Sequence, residues 1–559
     1  MAEALVTEQP QATRDRVKIR SKRKEAMKNG RSQWDAQWQS LKDLVRPASP
    51  DFYNSQQRGE AVQNLIYDGT AGWAAEQLAS GLQAFLTSPT DRWFNVTVKN
   101  TPVQFISHDV QLWLELVSDT IYSHYADSRV NFDPMMHELD LDIIVFGTGN
   151  LFQEWNSKDK HIVFRSHAVA NCFIAENENN IVDTLIREIE WSGRQIERRF
   201  GGLDNLPPKL RAMLKKDNDP EKAYNFLHSV WPRKDRTPGL EVATNMPWAS
   251  VWDCEETAEE VSVSGFNMFP YHCPRWMKIA GETYGRSPGM TCLPDIRMVN
   301  EMMKNLIQTS QLRIAPPIMM PSDGFSMPIQ WKPYGINYYE PGSQDRIEPL
   351  NVGGDAVFGI EFLTYIREQI TRCFYVDWLL LQKNNVEMTA TEVLDRREEK
   401  LRLMAPMLGR LQSELLGPML KRTYTLLNSK GLIPDAPEEM AGSSLDIQYV
   451  SPAAKAQFGT RAIAADRWIQ SLTPLAQAYG PQVLDALNPD RYAQESATWH
   501  DVPRRVLNSN EEIEEVRSQR QTAADEETAL EQAKVESQVG VDTSTATRNI
   551  AAAQESLTV

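Results

Sequence analysis

The feature that most constrains the fold is a pair of helical patterns separated by a proline-rich segment. Residues 294–314 repeat apolar side chains along one helix face, and residues 355–375 form a second helical pattern. Between them, residues 316–350 hold seven prolines and four Gly or Asn breakers around short aromatic runs. This composition predicts a compact, extended insertion carried by two helices, and not a flexible Gly/Ser linker.

The sequence before these helices predicts a region of mixed α+β structure. A helix over 61–88 is rich in small residues, which indicates close packing against another element. Helices are also predicted at 106–127 and 135–146, a strand at 93–98, a hairpin of 151–156 with 161–167, and further strands over 181–275 around a helical insert at 192–228.

The chain after the helix pair is predicted to be helical. A long pattern runs from Thr389 to Leu427, and Pro406 and Pro418 should kink it. Beyond Pro434 the sequence is rich in Ala and Gln. After Asn510 it is acidic and poor in large apolar residues, which predicts a frayed helix followed by a disordered tail.

Charge limits the kinds of partner. The chain carries 59 Lys and Arg against 75 Asp and Glu, a formal net charge of −16. Duplex-binding domains are basic because their affinity comes from phosphates, so the chain as a whole is not a tight DNA binder. Residues 14–31 are the exception, with nine basic residues against two acids. That run favours a solvated helix face or arm, and contact with nucleic acid or an acidic partner is the alternative.

Motifs of catalysis and cofactor binding are not found. There is no phosphate-binding loop, and Gly147-Thr148-Gly149-Asn150 is interpreted as a turn before a strand. His137-Glu138 lacks the second His of a zinc protease, and nothing near His272-Cys273 completes a metal site. The five cysteines form no C-x-x-C and are expected to be reduced thiols. We therefore expect no cofactor and no metal. The sequence also predicts no secretory signal and no membrane helix.

Six stretches together resemble the head-to-tail connecting proteins, or portal proteins, of short-tailed phages, and they span roughly residues 34 to 520. They include YDGTAGWAAEQLASGLQAFLTSPTDRWFNV, FGTGNLF, GRSPGMTCLPDIRMVNEMMKNLI and DVPRRVLNSNEEIEEVRSQR. VSPAAKAQ departs slightly from the Pro-Leu-Ala-x-Ala-Gln form expected there. In order, the six are residues 67–96, 146–152, 285–307, 388–424, 450–457 and 501–520.

The resemblance implies a mainly helical α+β portal fold, with wing, two-helix stem, clip and helical crown, that assembles into a ring around a central channel. A clip of turns and exposed aromatic residues cannot bury itself, but identical neighbours in a ring can cover it. The implied regions are 1–285 for the N-terminal region and wing, 286–315 and 355–375 for the stem helices, 316–354 for the clip, 376–388 for a channel loop, 389–433 for a kinked wing helix, 434–510 for the crown and 511–559 for an acidic, flexible tail.

The resemblance also implies the function and the partners. The chain would form a ring of twelve at the head–tail junction of a virion and would be assembled in the host cytoplasm. Its partners would be double-stranded DNA, terminase, major capsid and scaffolding proteins and a tail adaptor, with no membrane. DNA-proximal residues would be Gln382, Lys383, Asn384 and Asn385, and clip residues for terminase or tail would be Phe325, Trp331, Tyr334, Tyr338 and Tyr339.

Two other classes of protein remain as alternatives. One is a different phage structural component, such as a tail adaptor, and the other is a packaging-associated nuclease. A closed ring with an open channel separates the portal from an adaptor. Metal-dependent DNA cleavage would support the nuclease.

Overall fold

The computed structural model describes most of the chain. The described residues are 10–53, 66–99, 106–237, 239–240, 242–314, 318–319, 348–349, 356–379, 404–440, 445–449 and, with short gaps, 462–555. The chain divides into two compact units. The first unit contains Met1–Trp93, Thr120–Ile433 and Ser451–Ala453, and the second contains Phe94–Asp119, Pro434–Val450 and Ala454–Val559.

Helices and strands alternate irregularly through the first half of the chain. The helices are α1 (Pro10–Leu44), α2 (Thr70–Leu86), α3 (His108–Tyr125), α4 (Phe132–Phe146), α5 (Gly193–Phe200) and α6 (Pro208–Asp217). The strands are β1 (Phe94–Val98), β2 (Leu151–Asn156), β3 (His161–Ser166), β4 (Cys172–Glu176), β5 (Val182–Ser192), β6 (Ala223–Pro232), β7 (Trp248–Cys254), β8 (Glu259–Phe266) and β9 (Tyr271–His272).

The second half is mainly helical. Its helices are α7 (Pro288–Thr291), α8 (Leu293–Ile314), α9 (Ala356–Cys373), α10 (Val376–Leu379), α11 (Gly417–Ser429), α12 (Pro489–Trp499) and α13 (Asn510–Glu555). Its strands are β10 (Ile318–Met319), β11 (Glu348–Pro349) and β12 (Leu445–Tyr449). The mainly helical α+β fold class is confirmed.

Two antiparallel sheets contain strands β2 to β9 of the first unit. The larger has five strands in the order β4-β5-β6-β7-β8, and the smaller has three in the order β3-β2-β9. The predicted hairpin is confirmed, because β2 and β3 pair antiparallel with Asn156 opposite His161. The helical insert is shorter than predicted: it ends at Asp217, and residues 223–228 belong to β6, whose alternating side chains pack in the sheet.

The predicted helix over 61–88 begins later than expected. Residues 66–69 are not helical and α2 starts at Thr70. Its small residues do permit close packing: Ala74 and Ala79 are fully buried, α2 packs on α4, and a Cβ at Gly72 would lie 3.1 Å from the carbonyl oxygen of Val45.

The basic run 14–31 lies on α1, and one side of this helix packs on the chain's own sheet. Arg20 Nε lies 2.7 Å from Asp253 Oδ2, and its NH2 group lies 2.6 Å from Glu260 Oε1. Lys24 Nζ lies 2.6 Å from Glu255 Oε1 and 2.9 Å from Glu188 Oε1. The opposite side is exposed and includes Arg14, Lys18 and Lys22. The prediction of a solvated face therefore holds for half of the helix, and the other half has an acidic partner within the same chain.

The long helix before Pro434 is described from residue 404. Residues 404–411 are helical, Gln412–Leu416 form a π-helical turn, and α11 follows at once. Pro418 lacks the N–H of a regular helical turn, and its ring would clash with the carbonyl four residues earlier, that of Glu414, which accounts for the wider turn just before it.

Two predictions for the C-terminal part are wrong. Residues 434–510 are not helical throughout, because β12 pairs antiparallel with β1, a strand more than 300 residues earlier. The segment after Asn510 is not a frayed helix with a disordered tail: α13 is continuous for 46 residues. Ala, Glu, Gln and Arg are strong helix formers, so its local propensity supports a helix even where its side chains are exposed. No helix in the described residues is long and apolar enough to cross a membrane.

Candidate functional site

The two helices predicted from the opening pattern are α8 and α9, and they pack against each other. Beyond them, Ile318 pairs with Pro349 and Met319 with Glu348, so the two ends of the intervening segment run antiparallel. The predicted clip residues Phe325, Trp331, Tyr334, Tyr338 and Tyr339 lie outside the described residues. The same holds for the predicted channel residues Gln382, Lys383, Asn384 and Asn385.

One buried residue, Asp68, connects both helices to the chain before α2: its carboxylate binds α9 and its backbone N–H binds α8. Asn300 of α8 accepts hydrogen bonds from the backbone N–H groups of Tyr67, at 2.7 Å, and Asp68, at 3.3 Å. The Asp68 carboxylate accepts two hydrogen bonds from Arg367 of α9, at 2.6 and 2.8 Å. It also accepts one from the backbone N–H of Thr70 at 3.0 Å. Asp68 therefore fixes both helices relative to the start of α2.

The pKa of Asp68 reflects these contacts. Burial raises the pKa, but the hydrogen bonds from Thr70 and Arg367 outweigh burial and leave the pKa below its ordinary value. A depressed carboxylate pKa stabilises the fold above the pKa of the unfolded chain. That stabilisation is lost as the pH falls through the folded pKa.

We expect Asp68→Asn to destabilise the first unit by about 1–3 kcal/mol at pH 7, because hydrogen bonds to a charged group are lost. The difference from the wild type should shrink as the pH falls from about 4 towards the lower folded pKa, where the wild-type carboxylate is also neutral. Urea unfolding at pH 7 and pH 3 measures the destabilisation and its decrease at low pH. Asp91→Asn, at an exposed carboxylate of the same unit, is the matched control. An Asp68→Asn variant that unfolds like this control at pH 7 would contradict the assignment.

Two glycines hold the chain entering α7 against the end of α4. Gly147 ends α4 with φ +84°, and a Cβ on it would lie 2.2 Å from the Gly285 carbonyl oxygen. A Cβ on Gly285 would lie 2.2 Å from the Gly147 carbonyl oxygen. Ser287 Oγ donates to the Val145 carbonyl at 2.8 Å, and Thr148 Oγ1 accepts from Gly285 N at 2.9 Å. The interpretation of 147–150 as a turn before a strand is confirmed. We call residues 145–149, 275–276 and 285–289 the stem-base junction.

Arg275 is the charged centre of the stem-base junction. Its side chain is 2% exposed and pairs with Glu414, which receives hydrogen bonds from Arg275 Nε at 3.1 Å, NH2 at 2.8 Å and the backbone N at 3.0 Å. It also pairs with Glu176 and donates to the carbonyls of Asn180 at 3.1 Å and Thr283 at 3.2 Å. Burial lowers the pKa of Arg275, but the carboxylates outweigh burial and raise it. The cation therefore joins the β4–β5 turn, the approach to α7 and the π-helical turn.

Large apolar side chains are exposed along both packed helices. They are Met298, Ile307, Leu312 and Ile314 of α8, and Ile360, Phe362 and Tyr365 of α9. Ile314 is 85% exposed and Ile360 is 54% exposed. Exposed large apolar groups on this pair of helices are available for contact with another protein chain.

His272, the histidine of the possible metal pair His272-Cys273, has a structural partner. His272 Nε2 lies 2.9 Å from Gln153 Oε1, and burial lowers the pKa of His272 to about 3. Cys273 is buried. Asp140 and Asp142 are both buried on α4, and Asp142 is paired with Arg46. Within the part of the chain that is described, no three His, Cys, Asp or Glu side chains are grouped as metal ligands would be.

Comparison with known proteins gives one family and two relatives. Residues 18–507 match the family model described as bacteriophage head to tail connecting protein. The "Probable portal protein" of Bordetella phage BPP-1 is 29% identical over 525 residues, covering 92% of each chain. The "Portal protein" of Salmonella phage epsilon15 is 26% identical over 508 residues, covering 88% of this chain and 89% of the relative.

Proposed function

The chain belongs to the family of bacteriophage head to tail connecting proteins and has a phage portal function, and we propose that it works as a closed ring of about twelve copies. The ring occupies one vertex of the capsid. DNA passes through its centre during packaging and ejection, and the tail attaches to its outer end.

The exposed apolar residues of α8 and α9 are the observation that carries this proposal. Ile307, Ile314, Ile360 and Tyr365 lie on the two helices that a ring would place against neighbouring copies. Complete burial of such a side chain stabilises an interface by about 1.5–3 kcal/mol. Each copy presents the same surface. When copies related by a rotation form a closed ring, neighbouring subunits cover this surface in every copy.

The proposed mechanism is passive. Terminase docks on the ring and hydrolyses ATP, and the ring itself has neither ATPase nor nuclease activity. The acidic net charge of −16 suits a conduit, since basic walls would hold a polyanion in place. Major capsid and scaffolding proteins receive the ring during assembly in the host cytoplasm, and a tail adaptor binds it later. The clip residues Phe325, Trp331, Tyr334, Tyr338 and Tyr339 are proposed as the contact for terminase and tail.

The segment after α10 is proposed as the channel loop. Its sequence changes abruptly from the apolar Trp378–Leu381 to the polar Gln382–Asn385 and back to Val386. A short polar tip between apolar arms is typical of a projecting loop. Lys383, repeated around the ring, would touch phosphates weakly, since exposed ion pairs contribute about 0–1 kcal/mol each. Such contacts slow slippage of DNA without stopping its passage.

We expect the wild-type protein and a Lys383→Ala variant to form the same closed rings, with altered DNA retention in the variant alone. Native mass spectrometry and electron microscopy measure the rings, and packaging followed by nuclease challenge of the heads measures retention. If the wild-type protein is only monomeric at micromolar concentration, the ring proposal is wrong. Intact variant rings that package and retain DNA normally would remove the role of the loop and leave the ring proposal standing.

A further inference from the structure

Two thiols meet at the base of the packed helices. Cys292 lies between α7 and α8, and Cys373 is the last residue of α9. Cys373 Sγ lies 3.4 Å from the carbonyl oxygen of Pro288, and Cys292 Sγ lies 3.9 Å from that of Gly289. Pro288 and Gly289 are consecutive, so both sulfurs lie against one turn. The backbone N–H of Cys292 also donates to the Pro288 carbonyl, at 3.0 Å, so one oxygen contacts both cysteine residues.

We propose that Cys292 and Cys373 form a dithiol–disulfide pair, which a small-molecule disulfide such as glutathione disulfide oxidises to a bridge across the two helices. The bridge joins the start of α8 to the end of α9, directly before α10. Only the setting of the pair in a virion rests on the proposed portal function. The chemistry of the pair rests on the contacts of these two residues.

The two cysteines are suited to different steps. Cys373 is half-buried and reachable by a reagent, whereas Cys292 is 1% exposed. The neighbouring Cys292 thiol lowers the pKa of Cys373, although burial and the charge of Asp295 oppose it. The neighbouring Cys373 thiol, together with burial, raises the pKa of Cys292. The attacking species in thiol–disulfide exchange is the thiolate, so Cys373 reacts first.

The exchange balances in two steps. The Cys373 thiolate attacks one sulfur of glutathione disulfide, forming a mixed disulfide and releasing one glutathione thiolate. Cys292 then loses its proton to solvent and attacks Cys373 Sγ, which releases the second glutathione thiolate. Two protein thiols are oxidised, one glutathione disulfide is reduced, and both glutathione thiolates take up protons.

The other cysteines provide an internal comparison. Burial, and then the charge of Cys172, raise the pKa of Cys273. Both are buried, and burial raises the pKa of Cys172 to about 12. Cys254 is buried as well, with its pKa raised by burial to about 11. Because a reagent cannot reach these sulfurs, only the 292–373 pair should respond while the protein is folded.

The two thiols would meet different redox environments before and after release of the particle. Thiols stay reduced in a cytoplasm and are oxidised on the surface of a released particle. A portal assembled in the cytoplasm would therefore hold both thiols, and the same portal in a released particle would hold the bridge. A crosslink raises stability by limiting the unfolded chain, so the base of the stem is reinforced after release.

The test incubates the full-length protein with glutathione disulfide, blocks remaining thiols with iodoacetamide and maps peptides by mass spectrometry without reduction. We expect a linked pair of peptides containing residues 292 and 373, a loss of two hydrogens, and a higher unfolding temperature that dithiothreitol reverses. Cys292→Ser should keep a stable glutathione adduct on Cys373. Cys254→Ser, the matched control, should form the bridge normally.

Three outcomes would overturn the inference: both thiols stay free, glutathione remains on wild-type Cys373, or another pair of cysteines links. The wild-type peptide map decides this even if Cys292→Ser fails to fold. In a second arm, released particles and infected-cell lysate are alkylated at once, and a reduced pair in particles would overturn the role after release. Native mass spectrometry of the same samples separates the two proposals. Monomers that form the bridge would contradict the ring proposal and leave the disulfide proposal standing. Rings that do not form the bridge would contradict the disulfide proposal and leave the ring proposal standing.

Discussion

Arg275→Met should destabilise the first unit by about 3–5 kcal/mol, the range expected when one partner of a buried ion pair is removed. The substitution keeps the apolar length of the side chain but removes the cation that pairs with Glu414 and Glu176. It also leaves the carbonyls of Asn180 and Thr283 without their donor from Arg275. Urea unfolding followed by tryptophan fluorescence measures the change.

A second substitution identifies the cause of the expected loss. If the uncompensated carboxylate dominates, Arg275→Met combined with Glu414→Gln should recover part of the stability lost in the single variant. Arg129→Met removes an exposed ion pair with Asp127 and should change the unfolding midpoint little. A single Arg275→Met variant as stable as this control would show that the buried network does not hold the stem-base junction together.

Much of the local structure could be predicted because its signals lie within a few residues. Four polar residues separate the two alternating runs that became β2 and β3, and a 3.6-residue period marks α8 over its whole length. The bounds of α8 and α9 differ from the predicted ones by one or two residues. These elements needed no information about distant partners.

The contacts that organise the site could not be predicted in this way. Asp68 meets Arg367, and Arg275 meets Glu414, across long separations in sequence. Nothing near any of these residues distinguishes it from an ordinary surface charge. The pairing of β12 with β1 is equally distant, and its short alternating run was hidden in an Ala- and Gln-rich region. The full length of α13 was not predicted for a different reason, because low apolar content was given more weight than helix propensity.

Some signals of the site were present in the sequence as separate motifs. FGTGNLF and GRSPGM, quoted above as separate parts of the family resemblance, meet in the structure at the stem-base junction. Each contributes a glycine whose missing Cβ lets the two backbones touch. The fourth stretch contributes Glu414, which binds Arg275 between them. Three distant motifs therefore describe one structural unit, the place where the chain enters α7 and α8.

Gly285→Ala should be a severely damaging small substitution at that place, with a loss of about 3 kcal/mol or more. The new Cβ would lie 2.2 Å from the Gly147 carbonyl oxygen and 2.9 Å from Arg275 Cβ. Because the 2.2 Å contact is with backbone, no rotamer change relieves it, and the shift must weaken the hydrogen bonds from Gly285 N to Thr148 and from Trp276 N to the Gly147 carbonyl. Gly30→Ala is the matched control: no atom lies within 4 Å of a Cβ there, and in helix α1 it should stabilise by about 0.5–1 kcal/mol. Soluble yield and urea unfolding of both variants give the comparison, and a Gly285→Ala protein that unfolds at or above the wild-type midpoint would mean that the two backbones do not touch as the structure has them.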